Sequence, residues 1–237
     1  MSIKDVTPEN SSARLLMNVA EELKMPFLQI ARKAEIGQIT SEPELFSIQS
    51  MAESAINLLD NYTLGVRMQL DNYEDNYQPV SVPAVLYDAS TKLRALAKAY
   101  GVSLELSIAG RYGPVLANRD ALEGALVSLG SALIEALPAT GGGQLKLHLA
   151  SHRSRNGIVA GLYGQNQKLS SDVLKKGRQL QSNSRQPLVG ISHTAGAGVF
   201  VADALLSAMD LNLYSSRHQG LHGLGIVLPV SKQLELV

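Results

Sequence analysis

Two glycines stand directly before an apolar run near the C-terminus, where they could take part in phosphate binding. The segment Thr194-Ala195-Gly196-Ala197-Gly198 precedes residues 199–209, whose composition predicts a helix. Backbone N–H groups at the start of a helix lack intrahelical partners and can bind an anion, and glycines let a phosphate approach the chain closely. Glycines also permit the tight turn that any such loop needs. The pattern therefore predicts either a phosphate-binding loop or a structural turn.

The histidines do not form a recognisable catalytic or metal-binding pattern. His218 and His222 are four residues apart, but this spacing resembles neither a zinc motif nor a catalytic triad. His148 and His152 lie at a predicted strand with two arginines nearby, which is typical of a solvated basic face. Cysteine is absent, so thiolate nucleophiles and cysteine-based zinc sites are excluded. The sequence predicts no metal site.

The charge balance and the lengths of the apolar segments limit the classes of partner. The chain has 21 basic and 21 acidic residues, so no global field draws it to nucleic acid or to an anionic membrane. Residues 1–12 are polar and lack the basic start and apolar run of a secretory signal. The longest apolar stretches are shorter than the roughly 20 residues that span a bilayer. We therefore expect a soluble, cytoplasmic protein that binds neither nucleic acid nor membrane.

Two amphipathic helices are the first elements that would position functional residues. Apolar residues recur at spacings of three and four in both, as in a helix that packs on other helices. Residues 36–40 are predicted to end the first helix, and Ser41-Glu42-Pro43-Glu44 to begin the second as a capping box. Two helices cannot enclose their own apolar seams, so we predict a hairpin that pairs with a second copy, giving a homodimer with a four-helix bundle. The predicted dimer core consists of Leu16, Val19, Leu23, Ile30, Leu45, Ile48, Leu59 and Tyr62.

The rest of the chain mixes helices and strands without regular alternation, which favours an α+β sandwich with helices on one face of a mixed sheet. The acidic, proline-closed segment 73–79 predicts a linker, so the domains are a tail (1–10), the hairpin (11–72), the linker and a C-terminal domain (80–237). In that domain we expect helices at 83–100, 119–137, 170–180 and 199–209. The expected strands are 102–108, 144–150, 157–163, 211–215 and 223–229.

One stretch of the first helix resembles a known motif. Ala20-Glu21-Glu22-Leu23-Lys24-Met25-Pro26-Phe27 is similar to the phosphoacceptor box of sensor histidine kinases, usually Ser-His-Glu-Leu-Arg-Thr-Pro-Leu. A proline within a helix costs about 3 kcal/mol, so its shared position is not expected by chance. With the order of elements, the resemblance covers about residues 11–237. It implies a dimerisation and phosphotransfer hairpin followed by an ATP-binding sandwich of the GHKL, or Bergerat, type.

The chain departs from this family at its reactive positions. Glu21 stands where the family has its phosphoacceptor histidine, and no histidine precedes His148. The alignment places Ser128 and Ala132 at the two asparagine positions that serve magnesium, and no asparagine occurs between residues 118 and 156. Glu123 and Glu135 remain as carboxylates on the same predicted helix.

The adenine-binding and glycine-rich boxes are altered as well. Gly164 begins the stretch where the family has Asp-x-Gly-x-Gly, but there is no acidic residue between residues 136 and 171. Gly196 and Gly198 resemble the last glycine box of the family. The resemblance therefore implies a degenerate nucleotide site, and we expect no cofactor and no bound ATP.

The functional expectation is binding without catalysis. The resemblance implies a pseudokinase-like dimer that docks a response-regulator receiver domain or a histidine kinase through the hairpin. The candidate contacts, exposed by helical spacing near position 21, are Glu22, Lys24, Met25, Gln29 and Arg32. The alternatives are a histidine phosphotransferase, a histidine kinase with residual ATP binding, and a purely structural dimer.

Overall fold

The computed structural model describes residues 27–40, 44–70, 76–136, 145–164 and 194–230. The helices in these ranges are α1 (27–40), α2 (Leu45–Leu70), α3 (Val82–Ala99), α4 (Arg119–Ala136) and α5 (Thr194–Ser207). The strands are β1 (Gln78–Val80), β2 (Val102–Ala109), β3 (Val115–Ala117), β4 (Leu145–Ser154), β5 (Gly157–Gly164), β6 (Tyr214–His218) and β7 (Leu221–Leu228). The predicted helix at 170–180 lies outside the described residues.

Helices α1 and α2 form the hairpin that the apolar periodicity predicts. Lys33 of α1 forms an ion pair with Glu44, the residue directly before α2. The first helix remains helical through Gly37 and up to Thr40, whose hydroxyl donates to the carbonyl of Ile36. Many of the hairpin's large apolar side chains are exposed in the single chain: Phe27, Leu28, Ile36, Ile39, Leu45, Phe46, Ile56 and Leu59.

The C-terminal domain is built on a mixed five-stranded sheet in the order β2-β4-β5-β7-β6. Strand β2 is parallel to β4, and the other neighbours are antiparallel. Strands β1 and β3 form a separate antiparallel ribbon. Leu149, Leu162 and Leu224 are register partners across three strands and are fully buried, so this face of the sheet supplies the core. The α+β class is confirmed.

The helices cover that apolar face of the sheet in two layers. Helices α3 and α4 contact the sheet, and α5 packs beside α4. Helix α2 then packs across α3, α4 and α5, with Leu58, Tyr62 and Leu64 against the domain core. The second helix of the hairpin is therefore also an outer layer of the C-terminal domain.

Several predicted boundaries are wrong, most clearly after α5. The predicted strand 211–215 is observed as β6, which begins at Tyr214. Leu211 and Leu213 are buried in the core because the chain turns sharply at Asp210, which has a positive φ, and the Leu211 amide bonds back to Leu206. Apolar character here reflects how the helix ends, not a strand.

Other corrections concern lengths and short elements. Helix α5 begins at Thr194, earlier than the predicted residue 199, so both glycines lie inside the helix. Strand β4 extends to Ser154 because it pairs along its length with β5. Gln78 and Pro79, assigned to the linker from the sequence, are strand residues that pair with β3. None of the helices within the described ranges is long and apolar enough to cross a bilayer.

Candidate functional site

The predicted nucleotide site centres on α4, which is enclosed along most of its length. Asn118 caps the helix, its side-chain oxygen accepting a hydrogen bond from the Ala121 amide at 3.0 Å. Every residue from Ala121 to Gly130 is buried. A helix of this kind has the sheet on one side and other helices on the rest of its surface.

Helix α5 lies in direct backbone contact with the predicted nucleotide face. Ser128 and Ala132 are only 2% and 1% exposed. A Cβ atom added at Gly198 would overlap the carbonyl oxygen of Ser128 and would lie 2.9 Å from the Cβ of Ala132. Gly198 is therefore required by helix packing, and the turn-forming role considered for it in the sequence is replaced by this one. Gly196 lies in the first turn of the same helix.

Helix α2 covers α4 from a second direction. The side-chain amide of Asn61 donates to the Gly124 carbonyl at 3.2 Å and to the Ser128 hydroxyl at 3.0 Å. Gly124 allows this approach, because a Cβ there would lie 2.6 Å from the Asn61 side-chain oxygen. The one polar group at the two asparagine positions is thus bonded to the protein's own hairpin.

Glu123 and Glu135, the two candidate carboxylates on α4, have neighbours outside the predicted nucleotide face. Glu123 is largely buried and pairs with Lys92 of α3 at 2.8 Å. Glu135 lies near Tyr100, and burial, with a smaller contribution from the Glu135 charge, raises the pKa of Tyr100 to about 12. Neither contact joins these carboxylates to the α4–α5 interface.

A polar cavity of about 320 Å³ lies at the other end of this helix layer. It is bounded by the last turns of α2, the residues before β1 and the start of α4. Arg119 in its wall forms an ion pair with Asp88. The cavity does not include Ser128, Ala132 or Gly198, so it is separate from the predicted nucleotide face.

Gly164, the remaining residue of the predicted nucleotide site, ends β5. It pairs with Leu147 on one side and His222 on the other. It is half-buried and carries no side chain that could accept a hydrogen bond from adenine. The segment that follows it, 165–193, lies outside the described residues.

The predicted partner contacts are only partly described. Glu21, Glu22, Lys24 and Met25 lie outside the described residues. On α1, Gln29 is half-buried and Arg32 is exposed.

The described residues of the predicted dimer core differ in their exposure and packing. Leu16, Val19 and Leu23 lie outside the described residues. Leu45 and Leu59 are 67% and 44% exposed in the single chain, while Ile30 and Ile48 are half-buried. Tyr62 instead packs against the core of its own C-terminal domain.

Sequence reasoning missed Asn61. The sequence signal that could have identified it is an asparagine inside a predicted helix. Asparagine has a low helix propensity, and its side-chain amide needs a hydrogen-bond partner. Gly65 one turn later lies against Leu205 of α5, which marks the same contact.

Comparison of the sequence alone is uninformative, since no family model matches the chain and no curated protein sequence is detectably similar to it. Solved structures do match. The Acinetobacter baumannii histidine kinase AdeS superposes with a TM-score of 0.54 at 15% identity, covering 89% of this chain and 98% of AdeS. Full-length ShkA, solved with AMPPNP, gives 0.55 at 15% identity, covering 95% of this chain and 47% of ShkA. The chain has the fold of a histidine-kinase core.

With the fold assigned, the parts of the histidine-kinase core can be identified. Helices α1 and α2 correspond to the hairpin, and α3–α5 with the five-stranded sheet correspond to the ATP-binding domain. A bacterial phosphotransferase shares the same fold, with a TM-score of 0.50 at 13% identity over 94% of this chain and 98% of that one. A shared fold does not determine activity, so function must be argued from the residues of the site.

Proposed function

We propose that this protein is a cytoplasmic, catalytically inactive, histidine-kinase-like dimer that regulates two-component signalling by docking a receiver domain or a histidine kinase. The observation that carries the proposal is the closure of α4. Asn61 of α2 bonds Ser128 and Gly124, and Gly198 of α5 lies against the Ser128 backbone. These contacts support a closed face at the two positions that the resemblance aligns with the magnesium-binding asparagines.

The chemistry of the remaining residues supports the absence of ATP as a cofactor. Phosphoryl transfer depends on magnesium held by oxygen ligands. At the two aligned positions, Ala132 offers no side-chain oxygen, and the buried Ser128 hydroxyl is bonded to Asn61. Adenine recognition depends on a buried acceptor, and without one the specificity of binding is lost. No acidic residue occurs between residues 136 and 171 to supply it.

The proposed dimer rests on the exposed apolar side chains of the hairpin. Ile39 is 77% exposed, Leu45 67% and Leu28 60%. Burying a leucine or isoleucine side chain contributes about 1.5–3 kcal/mol, so several of them together can offset the cost of association. A second copy supplies the same apolar seam, and a two-fold bundle would cover both hairpins.

The proposed docking surface is the exposed face that helical spacing predicts for the first helix of the hairpin, beyond position 21. Its members are Glu22, Lys24, Met25, Gln29 and Arg32. Docking needs only this surface and no reactive group, so the loss of the phosphoacceptor does not remove it. A dimer that binds a receiver without transferring phosphate would sequester it or hold it in one state, in proportion to its concentration.

The phosphotransferase alternative conflicts with the sequence of the hairpin. Transfer requires an imidazole that accepts a phosphoryl group, and no histidine occurs before His148. The first histidine lies on β4 in the sheet. The similarity in fold to a phosphotransferase is therefore not accompanied by the residue that the reaction needs.

The proposal is tested with the full-length chain as bait, followed by binding measurements with the purified partner. Met25→Glu and Arg32→Glu should each abolish binding of a receiver or kinase while leaving the dimer mass unchanged. Arg94→Glu, an exposed arginine on α3, is the matched charge-reversal control and should bind normally.

Two further measurements separate the alternatives. Binding should be the same with and without magnesium-ATP, and Glu21→Ala should have little effect. If Met25→Glu and Arg32→Glu both leave the partner bound, the docking surface lies elsewhere and the hairpin only dimerises. If no receiver or kinase binds the wild-type chain, the structural-dimer alternative replaces the proposal.

A further inference from the structure

The face of the sheet opposite the helices carries a polar cluster that the proposed function does not use. Register places alternate residues of the five strands on this face. Its polar members include Glu105, Ser107, Lys146, His148, His152, Tyr163, Tyr214, Ser216 and His218.

The sheet coils so strongly that two of its diagonal corners meet over this face. Strands β2 and β6 are opposite edges of the five-stranded sheet, yet the Ser107 hydroxyl lies 3.5 Å from Nε2 of His218. The rings of His152 on β4 and His218 on β6 are stacked, with centroids 5.2 Å apart and planes at 24°. The right-handed twist of strands produces this approach when it accumulates across a sheet. The β6–β7 turn is thereby held against the ends of β2 and β4.

Glycines on this face of the sheet leave room for the Tyr163 side chain. Gly161, Gly223 and Gly225 lie on this face of β5 and β7. A Cβ at Gly161 would lie 2.7 Å from the Tyr163 hydroxyl, and one at Gly225 would lie 3.2 Å from it. The Tyr163 ring therefore occupies the space that side chains would fill. It is fully buried, with the His218 ring 5.3 Å away and the Ser216 hydroxyl at 3.3 Å.

The stacked rings are poorly placed to carry charge. His218 is 7% exposed, and Nδ1 of His152 is buried without a hydrogen-bond partner in the described part of the chain. Burial, and then the neighbouring His152 and His148, lower the pKa of His218 below the ordinary 6.5. A protonated His218 ring would face the His152 imidazole at close range.

The other titratable groups around the two rings do not offer a counter-charge for a protonated His218. Glu105 is the acidic residue on this face of the described strands, and it is engaged by Lys146 at 2.6 Å and by His148 at 3.4 Å. Burial raises the pKa of Tyr163, and burial together with Tyr163 raises the pKa of Tyr214 to about 12, so both phenols stay neutral near pH 7. Protonation of His218 therefore adds positive charge on this face without a free carboxylate partner among the described strands.

We propose that His218, stacked on His152, is an acid-sensitive latch, which holds the β6–β7 hairpin over the concave face when His218 is neutral and releases it when His218 is protonated. Release would separate the β6–β7 turn from β2 and β4 and would expose Tyr163. The direction of the pH dependence follows from the difference in proton binding between the closed and the released forms. A group whose protonation is disfavoured in the closed form stabilises that form above pH 6.5, and the contribution is lost as the pH falls below this value.

Hydrogen exchange of the intact protein between pH 7.5 and 5.0, corrected for the intrinsic dependence of exchange on pH, tests the latch. Protection of residues 214–228 relative to α4 should fall as the pH drops below 6.5. The fall should reach at most about tenfold for each unit of pH, the limit for one proton taken up on opening. His218→Phe keeps an aromatic ring and cannot protonate there, so its protection should be nearly independent of pH.

The matched control is His222→Gln. His222 lies on the same hairpin but on the opposite face of β7, so this variant should retain the pH dependence of the wild type. Wild-type protection that does not change with pH, or a His218→Phe variant that responds like the wild type, would overturn the proposal. If that variant does not fold, titration of the His218 ring resonances in the wild type decides the question, since a pKa at or above 6.5 excludes the latch.

Discussion

Replacing Asn61 with alanine tests whether α2 closes the predicted nucleotide face in solution. The substitution removes the hydrogen bonds to the Gly124 carbonyl and to the Ser128 hydroxyl. Each such bond contributes about 0.5–1.5 kcal/mol net, and an unsatisfied buried hydroxyl adds to the loss. Ser128 is 2% exposed, so water does not readily replace the amide.

Two effects reduce the loss of stability expected for Asn61→Ala. The Ser128 hydroxyl can turn to the carbonyl four residues earlier in its own helix, and alanine has the higher helix propensity by about 0.5 kcal/mol. We therefore expect the free energy of unfolding to fall by about 1–2 kcal/mol. For a chain of this length the melting temperature should drop by about 2–8 °C.

Denaturant unfolding of Asn61→Ala and of Thr63→Ala measures this effect with its control. Thr63 lies on the same helix, is exposed and bonds only to the carbonyl of Leu59, so its removal should change stability by about 0.5 kcal/mol or less. A double-mutant cycle with Ser128→Ala should give a coupling energy of about 1 kcal/mol. If Asn61→Ala is as stable as Thr63→Ala and the cycle shows no coupling, α2 does not hold α4 and does not close the predicted nucleotide face in solution.

Three further predictions concern assembly, packing and nucleotide. Light scattering should give the mass of a dimer for the wild type and of a monomer for Leu59→Glu. The control Leu106→Glu, at an exposed apolar residue of β2, should remain dimeric. A wild type that stays monomeric at high concentration would contradict the proposed four-helix bundle. Gly198→Ala should lower stability by about 1–3 kcal/mol because α5 must move off the Ser128 carbonyl, and a gain of about 1 kcal/mol, as helix propensity alone gives, would show that the contact is absent. Calorimetric titration should detect no tight binding of magnesium-ATP, and a micromolar dissociation constant, about −8 kcal/mol, would contradict the proposed inactivity.

The sequence could predict the fold class and most elements because their signals are local. Apolar spacing indicated α2, and the predicted ranges of α3, α4, β2 and β5 agree with the structure to within one residue at each end. The missing asparagines and carboxylates were also visible from sequence alone, since an absent residue type cannot be restored by any register. Boundaries were less accurate where a local signal has two causes, as for Leu211 and Leu213, which are apolar because they pack beneath the end of α5.

Only the tertiary structure decided how distant residues meet. The sequence assigned Asn61 and Tyr62 to a hairpin separate from the C-terminal domain, but α2 packs on that domain and places Asn61 against Ser128, 67 residues away. The sequence around Gly198 predicts a loop glycine, but in the structure Gly198 is the point at which α5 contacts α4. His152 and His218 meet because twist accumulates over five strands. These contacts depend on the relative placement of whole elements, which is fixed by the shared core and not by the residues around any one of them.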